Sequence, residues 1–199
     1  MRWDGMLRHM LMPRTLAVLT LVLASPALAA TGTAIGDQVP GFQAKALDVS
    51  GEAATSRDFD SQAQKHVTAY LFVGTQCPAT AAYLDRMRAL ETKYRATGVD
   101  FVYVYPNKTD TSEAKTAFHK TSRLTGPMID DEGGKIARML GASHTSEVLL
   151  VAKDGKLLYR GAIDDSREPS QVKTQYVASA LDAHLAGKPI APTTTDVQA

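Results

Sequence analysis

The chain has 199 residues, of which 44% are hydrophobic, and its 22 Lys and Arg nearly balance its 21 Asp and Glu, for a formal net charge of +1. This length fits one domain with a proper hydrophobic core. The balanced charge, without a basic run interleaved with aromatic side chains, argues against a nucleic-acid partner and against binding to a membrane surface.

The first 29 residues have the pattern of a secretory signal. Arg2, Arg8 and Arg14 form a positive n-region before an apolar run at 16–24, and Ala27-Leu28-Ala29 forms a small-x-small cleavage signature. The apolar run is shorter than the roughly 20 residues that span a bilayer. We therefore predict cleavage after Ala29 and a periplasmic or secreted protein with no membrane association beyond the export signal. The alternative is an uncleaved N-terminal anchor.

A βαβ unit is predicted in the first half of the domain. Alternating residues at 42–49 indicate a strand, and the mostly apolar run at 66–73 indicates a buried central strand. Pro78 suits the first turn of the helix predicted at 79–96, because the missing N–H of proline costs nothing there. Residues 99–105 form a second predicted buried strand.

The second half is predicted to add helices, a hairpin and a tail. A helix starts at Thr111 or Ser112, and a hairpin turns at Asp154-Gly155, the strongest turn signal in the chain. The predicted elements are a helix to about residue 119, a short helix at 135–140, strands at 148–152 and 156–160, and a last helix at 171–185. The domain is predicted at 30–186. A disordered tail is predicted at 187–199, which is rich in Pro and Thr.

Cys77 is the only cysteine of the chain. One cysteine in a secreted protein cannot form an internal disulfide, so its thiol is inert, paired with another molecule, or reactive. Cys77 lies between a predicted strand and a predicted helix, where backbone N–H groups and the helix dipole favour the thiolate. The hydroxyl of Thr80, one turn further, can hydrogen-bond the sulfur. The alternative is a buried cysteine that acts as a small hydrophobic residue.

The segment at 69–78 resembles the active-site strand and turn of thioredoxin-like proteins. It is closest to the redoxin group, which includes AhpC/TSA and TlpA-like secreted proteins. Segments at 127–131, 137–142 and 147–165 resemble the same family. The resemblance implies an α/β thioredoxin-like fold, with a central mixed β-sheet flanked by helices, and it identifies Cys77 as the match to the family's nucleophile.

The chain departs from that family at the chemical centre. The Cys-x-x-Cys pattern reads Cys77-Pro78-Ala79-Thr80, so Thr80 stands in place of the resolving cysteine. The peroxiredoxin signature needs Thr or Ser where Gly74 stands, and Pro where Tyr70 stands. The family's cis-proline falls at Ser146. Because a cis bond before a residue other than proline costs about 3–4 kcal/mol, we expect a trans peptide there.

The leading hypothesis is a secreted thiol oxidoreductase or antioxidant enzyme without a cofactor. Cys77 would attack a peroxide or a disulfide, and the resulting sulfenic acid or mixed disulfide would be resolved by an external thiol. Its partner would be a thiol reductant or a protein disulfide. The expected catalytic residues are Cys77 and Thr80, and the expected substrate-groove residues are Thr75, Pro78, Thr145 and Ser146.

The second hypothesis is a non-catalytic redoxin-fold protein that binds copper or a partner protein. The resemblance implies that the loop with His144 faces Cys77, and an imidazole with a thiolate suits a soft or borderline metal. Two ligands are too few for a closed tetrahedral site, so binding would be weak or shared. An exposed loop histidine without a function is the simpler interpretation.

The other polar residues at turns and element ends have ordinary structural interpretations. We expect His66, His119 and His184 at strand ends and on helix surfaces. The carboxylates at 130–132 and 164–165 fit turn chemistry better than cation binding. Arg160 is expected as a solvated strand-end residue, with steering of an anionic or peroxide substrate as the alternative.

Overall fold

The structure is a computed structural model that describes residue 1, residues 32–51 and residues 53–198. The export signal predicted at 1–29 therefore lies outside the described residues, apart from its first residue. In the part of the chain that the structure describes, no helix is both long and apolar enough to cross a membrane.

The described residues form seven strands and four α-helices. The strands are β1 (Gln43–Asp48), β2 (Thr55–Asp60), β3 (Val67–Phe72), β4 (Val99–Tyr105), β5 (Met128–Asp130), β6 (Val148–Val151) and β7 (Leu157–Gly161). The helices are α1 (Pro78–Tyr94), α2 (Ser112–Thr121), α3 (Lys135–Leu140) and α4 (Tyr176–Leu185). The predicted βαβ unit and the predicted hairpin around Asp154-Gly155 are both present.

All seven strands belong to one mixed sheet in the order β2-β1-β5-β4-β3-β6-β7. β4 pairs in parallel with β3 and with β5, whereas the remaining pairs are antiparallel. Because β3 and β4 run in parallel, their carboxyl ends lie at the same edge of the sheet. The loops that follow these strands, at 73–77 and 106–111, are therefore neighbours, and Cys77 lies in the first of them.

The sheet separates two hydrophobic cores. Side chains alternate along β3, so Leu71 packs into one core together with Met87 of α1. Tyr70 and Phe72 pack into the other core, together with Leu140 of α3. Burial on both faces explains why β3 is a continuous apolar run in the sequence.

The final helix starts later than the sequence predicts, at Tyr176 instead of Gln171. The N–H groups of Lys173 and Thr174 donate to the carboxylate of Asp165, at 2.9 Å and 3.0 Å. These donors hold the backbone in a non-helical conformation, since side-chain acceptors compete with the helical hydrogen bonds. A short 3-10 turn lies just before this stretch.

Within the tail predicted at 187–199, residues 193–195 lie against β7. The N–H of Arg160 donates to the carbonyl of Thr193 at 3.0 Å, and the N–H of Thr195 donates to the carbonyl of Arg160 at 3.1 Å. β7 is an edge strand with unpaired backbone groups, and the tail satisfies them. Pro and Thr content alone gives no information about such a partner strand.

His119 is fully buried, so its predicted place on a helix surface is wrong. Its Nε2–H donates to the carbonyl of Gly126 at 2.9 Å, and its Nδ1 accepts from the hydroxyl of Tyr105 at 2.8 Å. The ring also makes an edge contact with Tyr103. Burial lowers the pKa of His119 to about 4, which keeps the imidazole neutral at physiological pH.

Candidate active site

Cys77 caps the N-terminus of α1 in an extended backbone conformation, with φ −81° and ψ 120°. Pro78 occupies the first turn of the helix, as predicted, and it is exposed. The Cys77 thiol itself is half-buried. A 17-residue helix that begins at the sulfur directs its unpaired N–H groups and its positive dipole end toward Cys77.

Neutral polar groups near the sulfur lower its pKa, and one of them forms a hydrogen bond with it. The hydroxyl of Thr145 lies 2.8 Å from Sγ. Burial raises the pKa of the Cys77 thiol, but hydrogen bonds from the Thr145 hydroxyl, from the N–H groups of Thr80 and Ala79, and from the Thr80 hydroxyl outweigh it. The pKa of Cys77 therefore lies below its ordinary value, and the thiolate is favoured.

Thr80 links the end of β3 to the start of α1. Its side chain is fully buried, and its Oγ1 accepts a hydrogen bond from the N–H of Gly74 at 3.1 Å. The hydroxyl hydrogen remains available for the sulfur of Cys77. The structure thus places Thr80 beside Cys77. The catalytic role that the sequence analysis predicts for Thr80 stays a prediction.

Gly74 marks the point where three parts of the site converge. A Cβ added at this position would lie 2.6 Å from Nδ2 of Asn107 and 3.3 Å from Cβ of Cys77 and from Cγ2 of Thr145. No real Cβ comes as close to another atom as 2.6 Å, so a larger residue would have to displace Asn107. The crowding gives a physical reason for a glycine where the peroxiredoxin signature has Thr or Ser.

Asp110 and Asn107 belong to the site although the sequence analysis did not select them. Asp110 is buried, and its Oδ2 accepts a hydrogen bond from the N–H of Thr75 at 3.1 Å. Both residues lie in the loop after β4. A signal for them was available, because loops that follow neighbouring parallel strands meet at one edge of the sheet.

Glu147 holds the loop that faces Cys77. It is 3% exposed, and its Oε2 accepts from the N–H of Ser143 at 2.8 Å and from the N–H of His144 at 3.3 Å. This fixes the turn that presents Thr145 to the sulfur. The guanidinium of Arg160 lies 3.8 Å from the other carboxylate oxygen, so Arg160 packs behind the loop and is not a solvated strand-end residue.

Ser146 has an unusual conformation. The only cis peptide among the described residues is Ala191-Pro192, so the bond before Ser146 is trans, as expected. Its φ is +70°, which favours glycine, and its N–H donates to the carbonyl of Phe72 at 2.5 Å. The side chain is 1% exposed, and Oγ has no hydrogen-bond partner among the described residues. Ser146 is therefore buried away from the sulfur's hydrogen-bond partners, and Thr145 presents its hydroxyl to Cys77.

His144 is exposed, and its Nδ1 lies 2.8 Å from the hydroxyl of Ser143. Within residues 32–51 and 53–198, no three His, Cys, Asp or Glu side chains are grouped closely enough to hold a metal ion. The two-residue pairing of His144 with Cys77 stays a prediction.

The acidic clusters have the structural roles that the sequence favoured. The carboxylate of Asp131 accepts from the N–H groups of Ile136 and Ala137, both at 2.9 Å, and so caps α3. Asp164 is buried and forms an ion pair with Arg86 at 2.7 Å. Neither carboxylate is free to bind a cation.

Comparisons with known proteins agree with this geometry. A family model described as Redoxin matches residues 34–176. The thiol-disulfide oxidoreductase ResA of Bacillus thuringiensis subsp. konkukian is 29% identical over 125 residues, which cover 62% of this chain and 67% of that protein. An uncharacterized conserved protein from Geobacillus kaustophilus has a TM-score of 0.70 at 24% identity, over 81% of this chain and 87% of that chain. Mycobacterium tuberculosis AhpC has a TM-score of 0.60 at 16% identity, over 81% and 98% of the two chains. The predicted thioredoxin-like fold is confirmed.

Proposed function

Because the chain belongs to the Redoxin family and has a thiol-disulfide oxidoreductase among its relatives, we propose that it is a thiol–disulfide oxidoreductase that works with one cysteine. One observation carries the proposal. The half-buried sulfur of Cys77 begins a long helix and is surrounded by donors that lower its pKa. An inert core cysteine would be fully buried, and its pKa would be raised.

The proposed reaction has two exchange steps. The thiolate of Cys77 attacks one sulfur of a substrate disulfide, so that a new S–S bond forms and the other substrate sulfur leaves as a thiolate with the electron pair of the broken bond. An external thiolate then attacks the substrate sulfur of this mixed disulfide, and Cys77 leaves as a thiolate. The second thiol must come from another molecule, because the chain has only one cysteine.

The residues around Cys77 depart from the peroxiredoxin signature. The contacts that lower the pKa of Cys77 come from two threonine hydroxyls and two backbone N–H groups. The hydroxyl residue of the peroxiredoxin signature is replaced by Gly74, and a side chain there would have to displace the Asn107 amide. Exchange with a disulfide needs only an accessible, ionised sulfur, which is what these contacts supply.

We further propose that the protein acts outside the cytoplasm, where disulfide substrates persist. The support is the n-region, apolar run and cleavage signature within residues 1–29. N-terminal sequencing of the exported protein should find Ala30 as the first residue. An exported form that still begins at Met1 would contradict this.

The function is tested by intact mass spectrometry of the protein after incubation with glutathione disulfide, and separately with hydrogen peroxide. We expect a mixed disulfide on Cys77 that an external thiol removes, and none on the Cys77→Ser variant. Oxidation by peroxide that a thiol reverses over many turnovers, without exchange with the disulfide, would make the protein a peroxidase. A thiol that reacts with neither reagent would overturn the proposal, and in that case tight Cu(I) binding would favour the metal-binding hypothesis.

A further inference from the structure

A groove of about 220 Å³ opens beside the candidate active site. We call it the Arg138 groove. Its polar lining consists of Asn107, Arg138, Ser143, His144 and Thr145, above a floor that includes Phe72. Its volume is below the roughly 300–1,000 Å³ of pockets that enclose drug-sized ligands. The groove therefore suits a small molecule or one end of it, and not a folded partner.

Two lining residues connect the groove to the nucleophile. Thr145 lines the groove, and its hydroxyl lies 2.8 Å from Sγ of Cys77. Asn107 lines it from the other side, and its Nδ2 borders the backbone of Gly74. A ligand in the groove would consequently have its reactive end within reach of the sulfur.

The charge of the lining is one-sided. Arg138 supplies a guanidinium and His144 an imidazole, whereas no carboxylate lines the groove among the described residues. Three buried carboxylates of the surrounding loops are already engaged: Asp110 accepts from the N–H of Thr75, Asp131 accepts from the backbone of α3, and Glu147 accepts from the backbone of the 143–144 turn. The groove therefore attracts an anion.

Arg138 is oriented to bind that anion. One guanidinium nitrogen donates to the carbonyl of Gly133 at 2.6 Å, which fixes the direction of the side chain. The remaining N–H groups stay exposed, and a guanidinium pairs well with a planar carboxylate. Amide and hydroxyl groups from Asn107 and Ser143 add neutral hydrogen-bonding partners.

We propose that the Arg138 groove binds the carboxylate of a low-molecular-weight thiol, and so selects carboxylate-bearing disulfides of the glutathione type as substrates of Cys77. The proposal rests on the proposed function. The carboxylate lies on Arg138 while the thiolate of Cys77 attacks the adjacent disulfide sulfur; one Sγ–S bond forms, one S–S bond breaks, and the second half of the ligand leaves as a thiolate.

The test compares three disulfides of different charge. Rates of mixed-disulfide formation are measured for glutathione disulfide, which carries carboxylates, for neutral 2-hydroxyethyl disulfide, and for cationic cystamine. Each variant is compared with the wild type separately for each disulfide. Differences in intrinsic reactivity between the three disulfides therefore do not affect the comparison. The variant Arg138→Gln removes the guanidinium. The matched control is Lys135→Gln, which removes one positive charge from the same helix at an exposed residue outside the groove.

We expect Arg138→Gln to slow the reaction with glutathione disulfide about 5–10-fold, as the loss of one charge-assisted hydrogen-bonded pair implies. Its rates with the neutral and cationic disulfides, and all rates of Lys135→Gln, should stay within about twofold of wild type. Equal slowing in both variants, or no slowing in Arg138→Gln, would overturn the proposed carboxylate binding in the Arg138 groove. The proposed oxidoreductase function would not be affected by that result. Failure of Cys77 to react with any of the three disulfides would overturn the proposed function itself.

Discussion

Two buried polar side chains, His119 and Ser146, show how differently the body of the fold and its active-site edge are built. Both ring nitrogens of His119 have hydrogen-bond partners, and the side chain packs against aromatic rings. Ser146 is as deeply buried, but it has a positive φ, and its hydroxyl has no partner in the described chain. Residues with strained or unsatisfied conformations concentrate at functional sites, where other contacts over-determine them.

Replacement of Ser146 tests whether the loop depends on the positive φ at this residue, and it has the largest expected effect on stability. Ser146→Pro should lower the free energy of unfolding by about 3 kcal/mol or more, because proline requires φ near −65° and lacks the N–H that donates to Phe72. Urea unfolding measures the change. The control Ser146→Gly keeps the N–H and tolerates the positive φ, so it should be neutral or stabilising by up to about 1 kcal/mol. A stable Ser146→Pro protein would show that the loop is not fixed in this conformation.

The pH dependence of the free energy of unfolding tests the role of His119, whose ring nitrogens both have hydrogen-bond partners. The pKa of His119 is about 4 in the folded protein against about 6.5 in the unfolded chain, so between these values the unfolded state binds the extra proton. The contribution of neutral His119 is therefore complete above pH 6.5 and is lost as the pH falls toward 4, by up to about 3 kcal/mol.

The measurement is urea unfolding at a series of pH values between 4 and 7. In the variant His119→Gln the slope in this window should shrink, although the protein is less stable throughout. A slope that is the same in wild type and His119→Gln would mean that the buried imidazole does not titrate as proposed.

Thr145 joins the strained loop to the nucleophile. Thr145→Val keeps the shape and removes the hydroxyl 2.8 Å from Sγ, so the pKa of Cys77 should rise. Thr145→Ser retains a hydroxyl and should restore most of the difference. The rate of alkylation by iodoacetamide as a function of pH measures both. Identical profiles for wild type and Thr145→Val would show that the Thr145 hydroxyl does not affect the pKa of Cys77.

Glu147 should have the smallest effect, and it acts by positioning. Glu147→Gln keeps one carbonyl oxygen for the backbone N–H groups of Ser143 and His144 but makes these hydrogen bonds weaker. The pKa of Cys77 should rise by less than in Thr145→Val, and Thr145→Val combined with Glu147→Gln should add no further rise. A double variant whose shifts are additive would show that Glu147 acts on the sulfur by another route.

Local patterns were sufficient to predict the half of the site that lies in one segment. A buried strand, a turn and Pro78 locate Cys77 at a helix start, and the same spacing brings Thr80 one turn away. Both expectations depend on contacts within a few residues. The helix at 135–140 and the Asp154-Gly155 hairpin were predictable for the same reason.

Long-range contacts determine the other half. Asn107 and Asp110 approach Cys77 only because β3 and β4 are neighbours, and Glu147 orients Thr145 only after β6 pairs with β3. His119 was misjudged because a histidine in a polar-looking helix gives no sign of the tyrosines that cover it. The contact of residues 193–195 with β7 could not be predicted either, because β7 lies elsewhere in the sequence.

The central claim is that the fold activates Cys77 as a nucleophile, and the pH–rate profile of its alkylation in the wild-type protein tests it most directly. The contacts around Sγ predict a single titration with a midpoint below that of an ordinary cysteine, whose pKa is about 8.5. Above that midpoint the rate should be constant, because the thiolate is the reacting form. A midpoint at or above 8.5, or a thiol that reacts only after unfolding, would contradict the account.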